Sequence, residues 1–144
     1  MSEKALELLS LMRKANAVQI GETNAGAAMR DGKAKLLLLA EDASENAANR
    51  AEGFARGRSA PVVRLPYSKD EISVSVGVPG CSMAAVTDLG FANALMAALS
   101  DGRPETYGAV AEETASRWEK ACRRKTEKQA HERNKRNGKR RTNI

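Results

Sequence analysis

Few residues in this chain could do covalent chemistry. The one histidine, His131, lies among lysines, arginines and glutamates near the C-terminus. It has no serine or cysteine partner in a folded body, as an activated nucleophile would need. Cys81 and Cys122 are the two cysteines. With no CxxC pair they make neither a zinc site nor a disulfide framework. Gly77-Val-Pro-Gly80 is followed by no Lys-Ser/Thr, and no GxGxxG occurs, so the phosphate loops of nucleotide enzymes are missing. Glu41 and Asp42 are adjacent carboxylates at the end of an apolar run, a position where α/β enzymes often place chemistry. Asp42 and Glu45 also have the spacing of a capping box, and that is the reading favoured here. The chain is expected to be noncatalytic, with no cofactor and no metal.

Two other stretches have the chemistry of binding. Gly21-Glu22-Thr23-Asn24 puts a helix start after a glycine. Free N–H groups and the helix dipole there favour a phosphate, and short polar side chains reach base edges. Gly77, Val78, Pro79, Gly80, Cys81 and Ser82 form a glycine- and proline-punctuated loop. Val78 and Pro79 can stack under unpaired nucleotides, the usual way irregular RNA is read. Both stretches are expected at one edge of the fold.

The elements that must position them alternate. Ala5, Leu8, Leu9, Met12 and Ala15 mark an amphipathic first helix. Ala17 to Ile20 is a short strand, and Glu22 to Met29 a second helix stopped by Gly32. Leu36 to Ala40 is a continuous apolar run of strand length, expected to be buried on both faces of a sheet. A third helix runs from Ser44 to Arg56, and a strand from Val62 to Leu65. Ser68-Lys-Asp-Glu71 opens a short fourth helix as a capping box. Met83 to Thr87 is the last strand, and Asp88 caps a fifth helix. This alternation predicts an α/β protein, a three-layer α/β/α sandwich with a small sheet. Strand order is not fixed by the pattern.

Ser100-Asp-Gly-Arg-Pro104 breaks the chain, with glycine past one helix and proline opening the next. The expected division is a sandwich domain over 1–102, a C-terminal helix over 103–133 and a disordered basic tail over 134–144. Tyr107 and Trp118 are expected to dock that helix on the domain. The net charge is +6 and unevenly spread. Residues 120–144 hold eleven Lys/Arg against two Glu, a net of +9, so the body carries −3. Segregated positive charge points to a polyanion partner, most commonly nucleic acid. Nonspecific phosphate contacts are assigned to Arg123, Arg124, Lys125, Lys128 and Arg133. Lys135, Arg136, Lys139, Arg140 and Arg141 extend the set. No signal peptide or membrane span is read in the chain, and a cytoplasmic monomer is expected.

Gly32-Lys-Ala-Lys-Leu-Leu-Leu-Leu-Ala-Glu-Asp-Ala-Ser-Glu-Asn46 resembles the signature of the L-seven-Ae/L-thirty-e ribosomal protein family, bacterial branch. Leu9 to Ala15 with Gly21-Glu22 before it, and Pro61-Val62-Val63, Ser68 to Glu71, Gly77 and Ala85 to Ala92 after it, fall in the expected order. The resemblance spans about residues 3 to 99. It implies a mixed four-stranded sheet and RNA binding, usually to a kink-turn. Family members begin the second helix with Gly-x-Asn-Glu-x-x-Lys, whose polar side chains contact sheared G·A pairs and backbone. Here Gly21 is kept, while Thr23, Asn24 and Ala27 stand at the other positions. Ala27 cannot neutralise a phosphate. Lys33, within the signature, is added to the expected RNA contacts.

The expected function is therefore an RNA-binding protein associated with ribosomes or other structured RNA. It would read a kink-turn-like or irregular RNA through the second helix's start and the loop before the last strand. The alternative is a protein-interaction module of the same fold that has lost specific RNA binding.

Overall fold

A computed structural model of the chain describes residues 3–79 and 81–142, with side chains for 4–79 and 81–131. In order, the elements are α1 (Glu3–Lys14), β1 (Val18–Ile20), α2 (Glu22–Arg30), β2 (Leu36–Leu39) and α3 (Glu45–Ala55). Then come β3 (Val62–Arg64), α4 (Lys69–Val76), β4 (Met83–Val86), α5 (Leu89–Gly102) and α6 (Pro104–Thr142). The sheet has four strands in the order β1-β4-β2-β3. β2 is parallel to β3, and β4 is antiparallel to both β1 and β2.

Every residue of β2 and β4 is buried. Successive strand side chains point to opposite faces, so a run of leucines must feed two layers. Leu36 and Leu38 join α1, α4, α5 and Tyr107 in one core. Leu37 and Leu39 join α2 and α3 in the other. The second layer is built on Ala25, Ala28, Ala51 and Ala85, small side chains that bring its helices close to the sheet. Gly26 belongs to the same logic. A Cβ there would lie 2.8 Å from the Phe54 ring, so the glycine that weakens α2 on propensity lets α3 pack against it.

The caps differ from expectation at one point. Ser44, not Asp42, caps α3, accepting from the Ala47 N–H at 3.1 Å. Asp42 instead accepts from the Lys69 N–H at 2.8 Å, the first residue of α4. Its carboxylate thus faces the positive end of the neighbouring helix. Ser68 and Glu71 close the expected capping box on α4, and Asp88 caps α5 through the Phe91 N–H.

Helix α6 packs against the sandwich. It pairs with α5 as an antiparallel hairpin, and Tyr107 lies inside the main core. The Tyr107 hydroxyl donates to the Arg64 carbonyl at 2.6 Å, and the Arg117 guanidinium to the Ser59 carbonyl at 2.9 Å. These two bonds tie α6 to the end of edge strand β3 and to the loop before it. Burial pushes the Tyr107 phenol up, so it remains a neutral donor. Tyr107→Phe is expected to lower stability by about 1 kcal/mol, the net worth of one hydrogen bond, read in a urea titration. The helix then continues to Thr142. The apolar face does end, but Lys, Arg, Glu, Gln and Ala are strong helix formers and no proline interrupts them.

Candidate nucleic-acid interface

The strand register sorts every loop to one of two ends of the sandwich. Ile20 pairs with Ala84, and Leu39 with Met83. The C-terminal ends of β1 and β2 and the start of β4 thus meet at one end. Val18 and Leu36 both pair with Val86 at the other.

At the first end, Gly21 follows β1 directly. Its N–H donates to the Met83 carbonyl at 3.0 Å and its carbonyl accepts from Ala25 at 2.9 Å. Gly21 has φ 95 and ψ 156 and no side chain caps α2. The first N–H groups of a helix have no intrahelical acceptor. Those at Glu22, Thr23 and Asn24 therefore stand at an open helix end with the positive pole of the dipole behind them. Thr23 and Asn24 are exposed. The Asn24 amide donates back to the Ile20 carbonyl at 3.0 Å, which leaves its oxygen turned to solvent as an acceptor.

The second stretch arrives beside it. Gly77 ends α4 in the left-handed conformation, φ 75 and ψ 19. Cys81 is buried, its N–H bound to the Ser73 hydroxyl at 3.0 Å and its thiol to the Met83 carbonyl at 3.7 Å. Burial pushes the thiol up, against backbone hydrogen bonds at Met83 and Gly21, so Cys81 is an inert anchor. The Ser82 carbonyl accepts from Ala40 at 2.9 Å. Pro79 is exposed. Val78 is half-buried and packs on the main core, which leaves only part of its side chain for a ligand. Gly80 lies outside the described residues.

Lys33 is not part of this constellation. The Lys33 and Lys35 N–H groups bond to Ala28 and Val86, beyond the far end of α2. A nine-residue helix separates Lys33 from Gly21 by about 13 Å. The tail cations are also elsewhere. Arg123 pairs with Glu119 at 3.1 Å, and Arg124, Lys125 and Lys128 are exposed on α6. The side chains of Arg133, Lys135, Arg136, Lys139, Arg140 and Arg141 lie outside the described residues.

One residue at the interface has no signal in the sequence. Arg50 on α3 reaches both carboxylate oxygens of Glu22, at 2.8 and 3.0 Å. The two are 28 positions apart, so no local spacing announces the pair. Both contacts come from the one nitrogen Nη1, a charge-assisted pair that ties α3 to the start of α2. The Arg50 side chain is 60% exposed and keeps other N–H groups facing solvent.

Known proteins match the sandwich. A family model described as the ribosomal protein L7Ae/L30e/S12e/Gadd45 family matches residues 3–96. The chain is 36% identical over 96 residues to RNA-binding protein YlxQ of Bacillus subtilis, covering 64% of this chain and 91% of that one. It is 32% identical over 90 residues to RNA-binding protein YlxQ of Enterococcus faecium, covering 62% and 85%. A solved structure from Bacillus halodurans, titled as a protein with unknown function, superposes with a TM-score of 0.61 at 26% identity. It covers 68% of this chain and 97% of that one. The family match stops before α6.

Proposed function

The chain belongs to the ribosomal protein L7Ae/L30e/S12e/Gadd45 family, and from that premise we propose that it is a noncatalytic RNA-binding protein. Its target is a kink-turn-like or otherwise irregular RNA, ribosomal or of another structured class, and it acts as a cytoplasmic monomer. The observation that carries this reading is the open start of α2, held by the Gly21–Met83 hydrogen bond against the loop that ends at Ser82.

Each part has a chemical role. The N–H groups at Glu22, Thr23 and Asn24 would take a phosphate or a base edge. The Thr23 hydroxyl and the Asn24 oxygen would add base readout. Exposed Pro79, with the free part of Val78, would lie under an unstacked base. Arg50 balances the charge of Glu22, so the one acid inside the site does not repel the backbone.

A second reading has its own observation. Glu41 and Asp42 follow β2, and Asp70 and Glu71 open α4 at the same end. Acidic residues there favour a protein partner over a polyanion, as in an interaction module of the same fold.

The two separate in a titration of the full chain against a kink-turn RNA and an unrelated stem-loop of equal length. We expect the kink-turn to bind at least about tenfold more tightly, roughly 1.4 kcal/mol. Thr23→Val with Asn24→Ala should remove most of that preference. Equal affinities for both RNAs in the unaltered chain would favour the interaction module.

A further inference from the structure

The end of the sandwich opposite Gly21 gathers unpaired positive charge from three separate elements. Helices α1, α2 and α3 all run toward it, because each is followed by a strand or loop that starts there. α1 finishes there in Arg13 and Lys14. Cations in a last helical turn are ordinary, since they meet the negative end of the dipole. Lys33, Arg56 and Arg58 are different, because they lie beyond the helix ends in loops. All five are exposed, and none takes part in the ion pairs formed among the described residues.

Helix α6 leaves the body at this same end. Trp118 lies against Gly90 near the start of α5, which marks where the hairpin stops. Beyond it α6 continues from Glu119 to Thr142, a projection of about 36 Å at 1.5 Å per residue. Lys120, Arg124 and Lys128 are exposed and spaced by four, so they form one stripe along the arm. Like charges at that spacing repel and weaken an isolated helix. A polyanion lying along them would turn that repulsion into attraction.

We propose that this end and the base of the α6 arm form a second RNA-binding surface, which takes the phosphate backbone of a helical RNA segment. Loop cations such as Lys33, Arg56 and Arg58 meet one strand, and the Lys120–Arg124–Lys128 stripe follows the duplex outward. No residue here reads a base, so binding is indifferent to sequence and steeply salt-dependent. The surface begins about 13 Å from the Gly21 edge, the length of the nine-residue helix α2 that separates Lys33 from it. The two surfaces would engage separate segments of one folded RNA. They share a ligand class and no residue, so either can fail alone.

The test uses the full chain and a plain RNA duplex without an internal loop. Two triple variants neutralise the surface: Lys33→Gln, Arg56→Gln, Arg58→Gln at the body, and Lys120→Gln, Arg124→Gln, Lys128→Gln on the arm. For either set, the slope of log affinity against log salt should become shallower by about 2–3, near 0.9 per lost phosphate contact. The charge-conserving set Lys33→Arg, Arg56→Lys, Arg58→Lys should bind as the unaltered chain does. The ratio of kink-turn to stem-loop affinity should survive both neutralised sets. An unchanged slope in both neutralised sets would overturn the proposal. So would binding to phosphatidylserine-containing vesicles at a salt concentration that releases the duplex, because the ligand would then be a membrane surface.

Discussion

Leu37→Ala and Leu38→Ala are each expected to destabilise the protein by about 2–5 kcal/mol, the range for leucine truncation in a close-packed core. The two side chains are neighbours on β2 and point to opposite layers. Leu37, fully buried, faces α2 and α3, and Leu38, 2% exposed, faces α1, α4 and α5. In a two-layer fold one of two adjacent strand positions would face water, and its truncation would cost no more than about 0.5 kcal/mol, as at other surface sites. Here both truncations leave a cavity. The alanines lining the Leu37 side cannot extend to fill it, so that loss should fall high in the range. Urea unfolding of the two single variants is the measurement. A change near zero at either position would mean that β2 has only one buried face.

The same strand shows what the sequence makes legible. Leu36 to Leu39 reads as doubly buried because period and length are local properties. The helix starts at Ser68 and Asp88 are legible for the same reason, since a cap and its acceptor lie within one turn. Legibility fails wherever the deciding contact is distant along the chain. Asp42 has the spacing to cap α3, yet the turn after β2 delivers it to α4, 27 residues on. Glu22 and Arg50 meet only because α2 and α3 share one face of the sheet. Lys33 lies within the family signature, but the signature begins at the far end of the sheet from Gly21. The strand order β1-β4-β2-β3 is set by pairings between strands that no local pattern encodes. The length of α6 fails differently. The apolar stripe ends near Cys122, and a helix without a buried face is carried by propensity and by pairs such as Glu119–Arg123.

Gly21→Ala is expected to do what no side-chain change at the interface does: lose stability and RNA discrimination together. Gly21 has φ 95 and ψ 156, a region open essentially to glycine alone, where another residue costs about 1–3 kcal/mol. A Cβ added there meets nothing within 4 Å, so the cost is backbone strain and no neighbour can relieve it by moving. Alanine would escape by returning φ to negative values. That rotation would turn the Glu22 and Thr23 N–H groups away from their common direction and break the bond to Met83. Gly32→Ala is the matched control. Gly32 has φ 71 and also nothing within 4 Å of an added Cβ, but it lies at the far end of α2. Both variants should lower the urea midpoint by comparable amounts. Only Gly21→Ala should lower the kink-turn preference, measured where each variant is still folded. If Gly21→Ala unfolds more easily and still prefers the kink-turn, the start of α2 is not the RNA-reading element. If it is as stable as the unaltered chain, Gly21 does not hold the conformation described here.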